Sequence, residues 1–356
     1  MAVETKAAIE AGADGPVRPA GRRSTAAALR GAGLLAAVAV LLLVSLLGIW
    51  WGTRNIPFTE TWRLLWAPDG SQASVIIHEY RIPRTLLGVL VGAALGLSGA
   101  LKQALTRNPL ADPGLLGVGL GAATGVVLAI GFFGVVTALG YVWFAFAGAA
   151  IASVVVYLLG SAGRSLVTPD RLVVAGAAVT AVLFAFNSAV LLLNPRAFNQ
   201  FRFWTVGSLA GRQMDVFWVV LPFIAVGLVL ALALGPSLNA LAMGDQMGRA
   251  LGVNVGRTRA AGMFAVMLLC GAATAAAGPI AFVGLVVPHT ARFLVGPDQR
   301  WLMAYSAVLA PILLIGSDVL GRVIGAPGEV QVGIVTAFVG APLFLALCRR
   351  RKLVTL

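Results

Sequence analysis

The chain has 356 residues, of which 59% are hydrophobic and only 11% charged, with a mean hydropathy of +0.94. A water-soluble domain carries roughly 25% charged residues, so this composition excludes one. The net charge of +13 does not point to nucleic acid, because excess Lys and Arg in a polytopic membrane protein mark its cytoplasmic loops.

Residues 1–30 are polar, Ala- and Gly-rich and basic, which reads as a disordered cytoplasmic tail. Gly31 to Trp51 follows as an apolar run. It is longer than a signal-peptide core, has no small-x-small cleavage site, and ends in the interfacial pair Trp50-Trp51, so it reads as a retained first span. Residues 53–80 are amphipathic and carry Trp62, Trp66 and Pro68-Asp69-Gly70; a short helix lying on the outer surface and then a turn are expected there.

Arg81 and Arg84 stand at the mouth of span two, about 82–105, along which Gly88, Gly92 and Gly96 recur every fourth residue. Arg107-Asn108-Pro109-Leu110-Ala111-Asp112-Pro113 breaks the helix, and Gly117, Gly121 and Gly125 repeat the spacing on span three. Such small-x-x-x-small series let helices cross closely in lipid. From Pro113 to Gly163 there is no Asp, Glu, Lys or Arg. That run is too long for one crossing, since about 20 residues span a bilayer, so it divides into spans three and four with a turn near Gly131 to Gly140.

Span five, about 170–193, ends at Asn194-Pro195-Arg196. The aromatic and polar segment Ala197 to Arg212 is too short and too polar to cross and reads as a short outer helix. Span six, about 215–235, ends at Gly235-Pro236. The next loop has a different character: two short helices with apolar residues between them, Asp245 as a cap of the second and Gly252 as its end, suggest a docking surface. Spans seven (about 258–277), eight (with Pro288-His289 inside it), nine (about 301–320) and ten (about 332–348) complete the chain, which closes on Arg349-Arg350-Arg351-Lys352. The fold class expected is therefore an all-α polytopic membrane protein: ten transmembrane helices over 31–350, with short tails at 1–30 and 351–356. Only eight of the 26 Lys and Arg then fall outside, at Arg54, Arg63, Arg81, Arg84, Arg196, Arg202, Arg212 and Arg322. That bias orients the chain N-in and C-in.

Missing chemistry narrows the function. Lys6, Lys102 and Lys352 each lack a preceding Gly, so the chain carries no P-loop for ATP. No carboxylate sits near the middle of a span; Asp112, Asp170, Asp215, Asp298 and Asp318 all fall at span ends or in loops. A secondary carrier with an intramembrane proton relay is thereby disfavoured. No nucleophile–base pair supports an intramembrane enzyme. Two Cys and two His, far apart, leave no metal site, and no resident cofactor is expected. What remains is a helical pathway protein driven by a second chain. Arg81 and Arg84 read either as interfacial anchors on lipid phosphate or, since they lie outside against the usual bias, as contacts for an acidic partner. His289 reads as packed and hydrogen-bonded. Asn187, Asn194, Asn199 and Gln200, with Thr180 and Ser188, either line a path or bond between helices.

Several motifs together carry a resemblance. These are R-I-P-R-T-L from Arg81, L-S-G-A-L-K-Q-A-L-T-R-N-P-L-A-D-P-G from Leu97, F-R-F-W-T-V-G-S-L from Phe201, M-G-D-Q-M-G-R-A-L-G-V-N-V from Met243, A-A-G-P-I-A-F-V-G-L-V-V-P-H-T-A-R from Ala276 and D-V-L-G-R from Asp318. In this order they resemble the FecCD-like permeases, membrane subunits of bacterial ABC importers for iron–siderophore chelates, haem and cobalamin. The resemblance covers residues 31–350. It implies a subunit of the cytoplasmic membrane that is no enzyme itself. It would work as a dimer with a second, identical or paralogous permease, passing a ferric siderophore along the interface, with haem or cobalamin as alternatives. Two ATPase subunits would act from inside and a substrate-binding protein from outside. By motif, Arg81, Arg84 and Arg322 would meet acidic residues of the binding protein. Cytoplasmic coupling helices would occupy 237–256, with Leu241, Asp245, Arg249, Leu251, Gly252 and Val253 as coupling residues. Asn187, and the stretch from Asn194 through Asn199 and Gln200 to Ser208, would form the outer gate. One departure stands out: Gly328-Glu329-Val330-Gln331 replaces the family's E-(L/I)-P-(I/V)-G.

Overall fold

A computed structural model describes residues 21–111, 117–135, 137–161 and 169–349. The expected tail over 1–20, Asp112, Pro113 and Arg164, and the tail at 351–356 lie outside the described residues. Among those described, no strand occurs.

The helices in chain order are α1 (Gly21–Trp50), α2 (Phe58–Trp66) and α3 (Gln72–Val75), which leads through a π-helical turn (Ile76–Arg81) into α4 (Ile82–Thr106). Next come α5 (Val118–Gly131), α6 (Ala138–Ser161), α7 (Pro169–Leu193), α8 (Pro195–Thr205), α9 (Met214–Ala233), α10 (Gly235–Ala242) and α11 (Asp245–Ala250). The last four are α12 (Val255–Ala277), α13 (Val283–Val295), α14 (Gln299–Ile324) and α15 (Val332–Arg349). Among the described residues, seven helical stretches are long and apolar enough to cross a bilayer; α5, α13 and the described part of α15 are apolar but shorter.

The bundle is built around α4. Only Ile82, Leu86, Val89 and Thr106 of that helix are not buried. Its glycines explain how so much of it is covered. A methyl group on Gly92 would lie 2.6 Å from the Pro311 Cα of α14, and one on Gly96 would meet the Ser306 carbonyl and the Ala310 side chain. Gly99 sits against the Gly284 backbone of α13 in the same way. Gly121 and Gly125 repeat the device between α5 and α6, each against backbone of the facing helix. The four-residue glycine series are thus packing stripes, as small residues are where dispersion rather than water drives helix contact. By contrast α7 presents Val174, Val182, Phe184, Leu192 and Leu193 outward, all more than 60% exposed. An apolar helix left this bare belongs in lipid or against another subunit.

Two boundaries differ from expectation. Residues 21–30 are helical and continue into the first apolar run, where Tyr305 donates to the Arg30 carbonyl at 2.7 Å. Span two starts ten residues early, at Gln72, because Ser71 caps it by accepting from the Ser74 N–H at 3.2 Å and the π turn carries the helix on through His78. The aromatic residues before it form a chain of ring contacts, Trp51–Trp50–Phe58–Trp62–Trp66, with centroids 5.3–6.3 Å apart. Such amphipathic rings sit at a membrane interface.

Candidate functional site

Charged side chains gather at the two ends of α4. At the N-terminal end of α4, α1 finishes at Trp50 with no basic residue in its last turn, so its terminal carbonyls lack partners from its own sequence. Two of the three singled-out arginines supply them. Arg81, turned by the π-helical turn, donates from Nη1 to the carbonyls of Ile49 (3.1 Å) and Trp50 (2.5 Å), and from Nη2 to that of Arg54 (2.5 Å). Arg322 Nη1 donates to the carbonyls of Gly48 (2.7 Å) and Trp51 (3.0 Å). Cations at a helix C-terminus are favourable both as donors and against its dipole.

The third arginine joins these helices to the loop after α14. Arg84 forms a two-pronged pair with Asp318, Nε to Oδ2 at 2.9 Å and Nη2 to Oδ1 at 2.7 Å, and its Nη1 reaches Glu329 at 2.7 Å. Asp318 also takes a short ion pair from Arg322, one turn further along α14. Its carboxylate is 2% exposed, whereas that of Glu329 is 32% exposed. The loop after α14 closes with the Val330 N–H on the Gly321 carbonyl at 3.1 Å. Arg54, Arg81, Arg84 and Arg322 with Tyr80 and Glu329 line a cavity of about 410 Å³. The three arginines are therefore brought together, but as buried members of an internal network. Asp318 and Glu329 escaped the sequence reading. The four-residue Asp318–Arg322 spacing at a span end was the available signal.

The C-terminal end of α4 carries a second cluster. Arg107 is the residue after the helix and has a left-handed backbone, φ 49° and ψ 33°. Glycine usually takes this place, and an L side chain there costs about 1–2 kcal/mol. The Arg107 side chain has partners: Nη2 donates to the Leu241 carbonyl at 2.7 Å and to Asp245 Oδ1 at 2.5 Å. Arg259, on the first turns of α12, donates to both Asp245 oxygens at 3.1 and 2.9 Å. The expected capping role of Asp245 is corrected here. Gly244 is the N-cap of α11, no side chain caps it, and the Asp245 carboxylate turns to the two arginines instead.

The remaining coupling residues divide by exposure. Leu241 is buried under α10 and Val253 is half-buried against the core. Arg249, Leu251 and Gly252 are exposed, the last with φ 81°. Met243, Met247 and Leu251 stand four residues apart and are each more than half exposed, an apolar row that went unread apart from Leu251. The gate candidates scatter. Asn194 caps α8 by accepting from the Ala197 N–H at 3.0 Å and donates to the Gly131 carbonyl at 3.3 Å. Gln200 accepts from the Tyr141 hydroxyl at 3.5 Å, and Asn199 is exposed. Ser208 holds the turn after α8, its N–H on the Ala277 carbonyl at 2.7 Å. Asn187 is buried, borders a cavity of about 370 Å³ with Trp204 and Pro279, and its side chain has no hydrogen-bond partner among the described residues. The His289 ring likewise has no hydrogen-bond partner among the described residues, where one is expected, and meets the Phe293 ring edge-on.

No cluster of three potential metal ligands occurs among the described residues, and the arrangement is one of arginines, carboxylates and backbone carbonyls. It offers ion-paired contacts on two faces of a membrane bundle. A family model, the FecCD transport family, matches residues 40–350. The chain belongs to this family. This FecCD permease is 44% identical to the ferric enterobactin transport system permease protein FepD of Escherichia coli (strain K12), over 88% of its own length and 93% of that protein's. It is 38% identical to the probable siderophore transport system permease protein YfiZ of Bacillus subtilis (strain 168), over 89% and 95%. Its fold aligns with a solved metal-chelate type ABC transporter in an inward-facing conformation at a TM-score of 0.79 and 25% identity, covering 89% of this chain and 98% of that one. The FecCD permease is thus a membrane-embedded transport subunit of a metal-chelate type ABC importer in the cytoplasmic membrane, and not an enzyme.

Proposed function

We propose that this FecCD permease moves a ferric siderophore across the cytoplasmic membrane as one half of a permease dimer. The observation that carries the cargo assignment is the 44% identity to the ferric enterobactin permease, continuous over nearly the whole of both chains. The FecCD permease crosses the membrane ten times, the seven long apolar helices being joined by α5, α13 and α15, with both termini inside. The bare face of α7 lies along the cargo path and the second permease, with Asn187, Asn194, Asn199, Gln200 and Ser208 around its outer mouth.

Two ATPase subunits take the exposed row Met243, Met247 and Leu251 with Arg249, within the 237–256 segment. An extracytoplasmic binding protein docks over Arg81, Arg84 and Arg322. Their cationic cavity attracts acidic side chains, and a carboxylate from outside would reach Arg84 most readily on the side that Glu329 occupies. The test is uptake of radio-iron ferric enterobactin into proteoliposomes holding the permease, its ATPases and its binding protein. ATP-dependent uptake is expected. Equal uptake without ATP would refute the ABC reading, and uptake of cobalamin in place of the chelate would move the cargo.

A further inference from the structure

The second cluster joins three elements through one carboxylate: the end of α4, the α10–α11 loop and the start of α12. Arg107 contributes twice, to the Asp245 carboxylate at the head of α11 and to the Leu241 carbonyl near the end of α10. It does so from a left-handed position where glycine would be unstrained. A strained residue whose side chain alone bridges to a distant segment marks a contact the backbone is bent to provide. The helix it ends is also the buried axis of the bundle, whose other end bears Arg84 and the Asp318 network. The pair of Arg107 and Asp245 is half-open to water, with side-chain exposures of 36% for Arg107 and 31% for Asp245. It can therefore loosen and re-form in a way the buried Asp318 cluster cannot.

We propose that Arg107 is a positioning residue for transport: its bridge to Asp245 and Leu241 is the joint that passes movement of the α10–α11 loop to α4, and so to the outer face. This rests on the reading that ATPases dock on that loop. A shift imposed on α11 changes the geometry of a charge-assisted contact fixed to the end of α4. The rigid, close-packed helix carries the displacement along its length. Arg259 holds the same carboxylate from α12, so one side chain of the loop links two helices, while Asn239 of α10 is held by Asp298 and Gln299 at the start of α14.

The decisive variant is Arg107→Gly. It keeps the left-handed turn comfortable and removes only the bridge, so the fold is retained. The experiment uses the complete complex in nanodiscs and measures ATP hydrolysis with and without the cognate binding protein. The ratio of the two rates is expected to fall by about five-fold or more in the glycine variant. Arg107→Lys, which keeps one charge contact to Asp245, is expected to restore at least half of the ratio. A glycine variant with the wild-type ratio would overturn the proposal. So would a proportional drop in both rates, or loss of the ATPases on purification, because the pair would then only hold the loop together. A wild-type complex without ATP hydrolysis would instead count against the transporter reading itself.

Discussion

The two charged clusters at the ends of α4 use the same residue types to different effect. The one at its N-terminal end buries Asp318 between Arg84 and Arg322 at 2% exposure, and adds the orphan carbonyls of α1. The one at its C-terminal end leaves Asp245 about one-third exposed between Arg107 and Arg259. Water decides the difference. A buried pair must keep its partners, because an uncompensated charge away from water costs several kcal/mol. A half-exposed pair exchanges them at little cost, since solvent replaces what is lost. The N-terminal cluster therefore fixes where α1, α4 and α14 meet, and the C-terminal one is suited to move.

This contrast is broken most severely at Asp318. Asp318→Asn removes the counter-charge of Arg322, leaves Arg84 with Glu329 alone, and should destabilise the protein by about 3–5 kcal/mol, read as loss of monodisperse protein and a lower midpoint of thermal unfolding in detergent. Packing around the same helix comes next. Gly92→Val forces a side chain into the Pro311 backbone, with an expected cost of about 1–3 kcal/mol in the same assay. Asp245→Asn should cost under about 1 kcal/mol, with an unfolding midpoint that responds to salt much less than that of the wild type. A midpoint drop as large as that of Asp318→Asn would erase the distinction between the clusters. Smallest of all, Glu329→Gln should leave stability within about 1 kcal/mol. In a pull-down it should tighten binding-protein capture, by freeing one edge of Arg84. Weaker capture would place Glu329 among the docking groups themselves.

Read alone, the sequence determines that this is an apolar helical protein of the membrane, because composition and runs of uncharged residues are local properties that the bilayer reads directly. It also marks the places where helices break, at Arg107-Asn108-Pro109 and Asn194-Pro195, and the glycine stripes, since backbone sterics need no tertiary context. Motif order places it among the FecCD permeases. Partners in space were a different matter. Arg84 and Asp318 lie 234 residues apart, and Arg107 and Asp245 lie 138 apart. No periodicity links such positions. Arg81 and Arg84 therefore read as outward-facing groups, whereas folding turns them inward to satisfy carbonyls and a carboxylate that cannot be left dry. Asp245 likewise reads as a helix cap until the end of α4 comes within reach. The tertiary structure alone decides which charges are buried together, because burial sets the cost of leaving a polar group unpaired, and burial exists only once the helices have met.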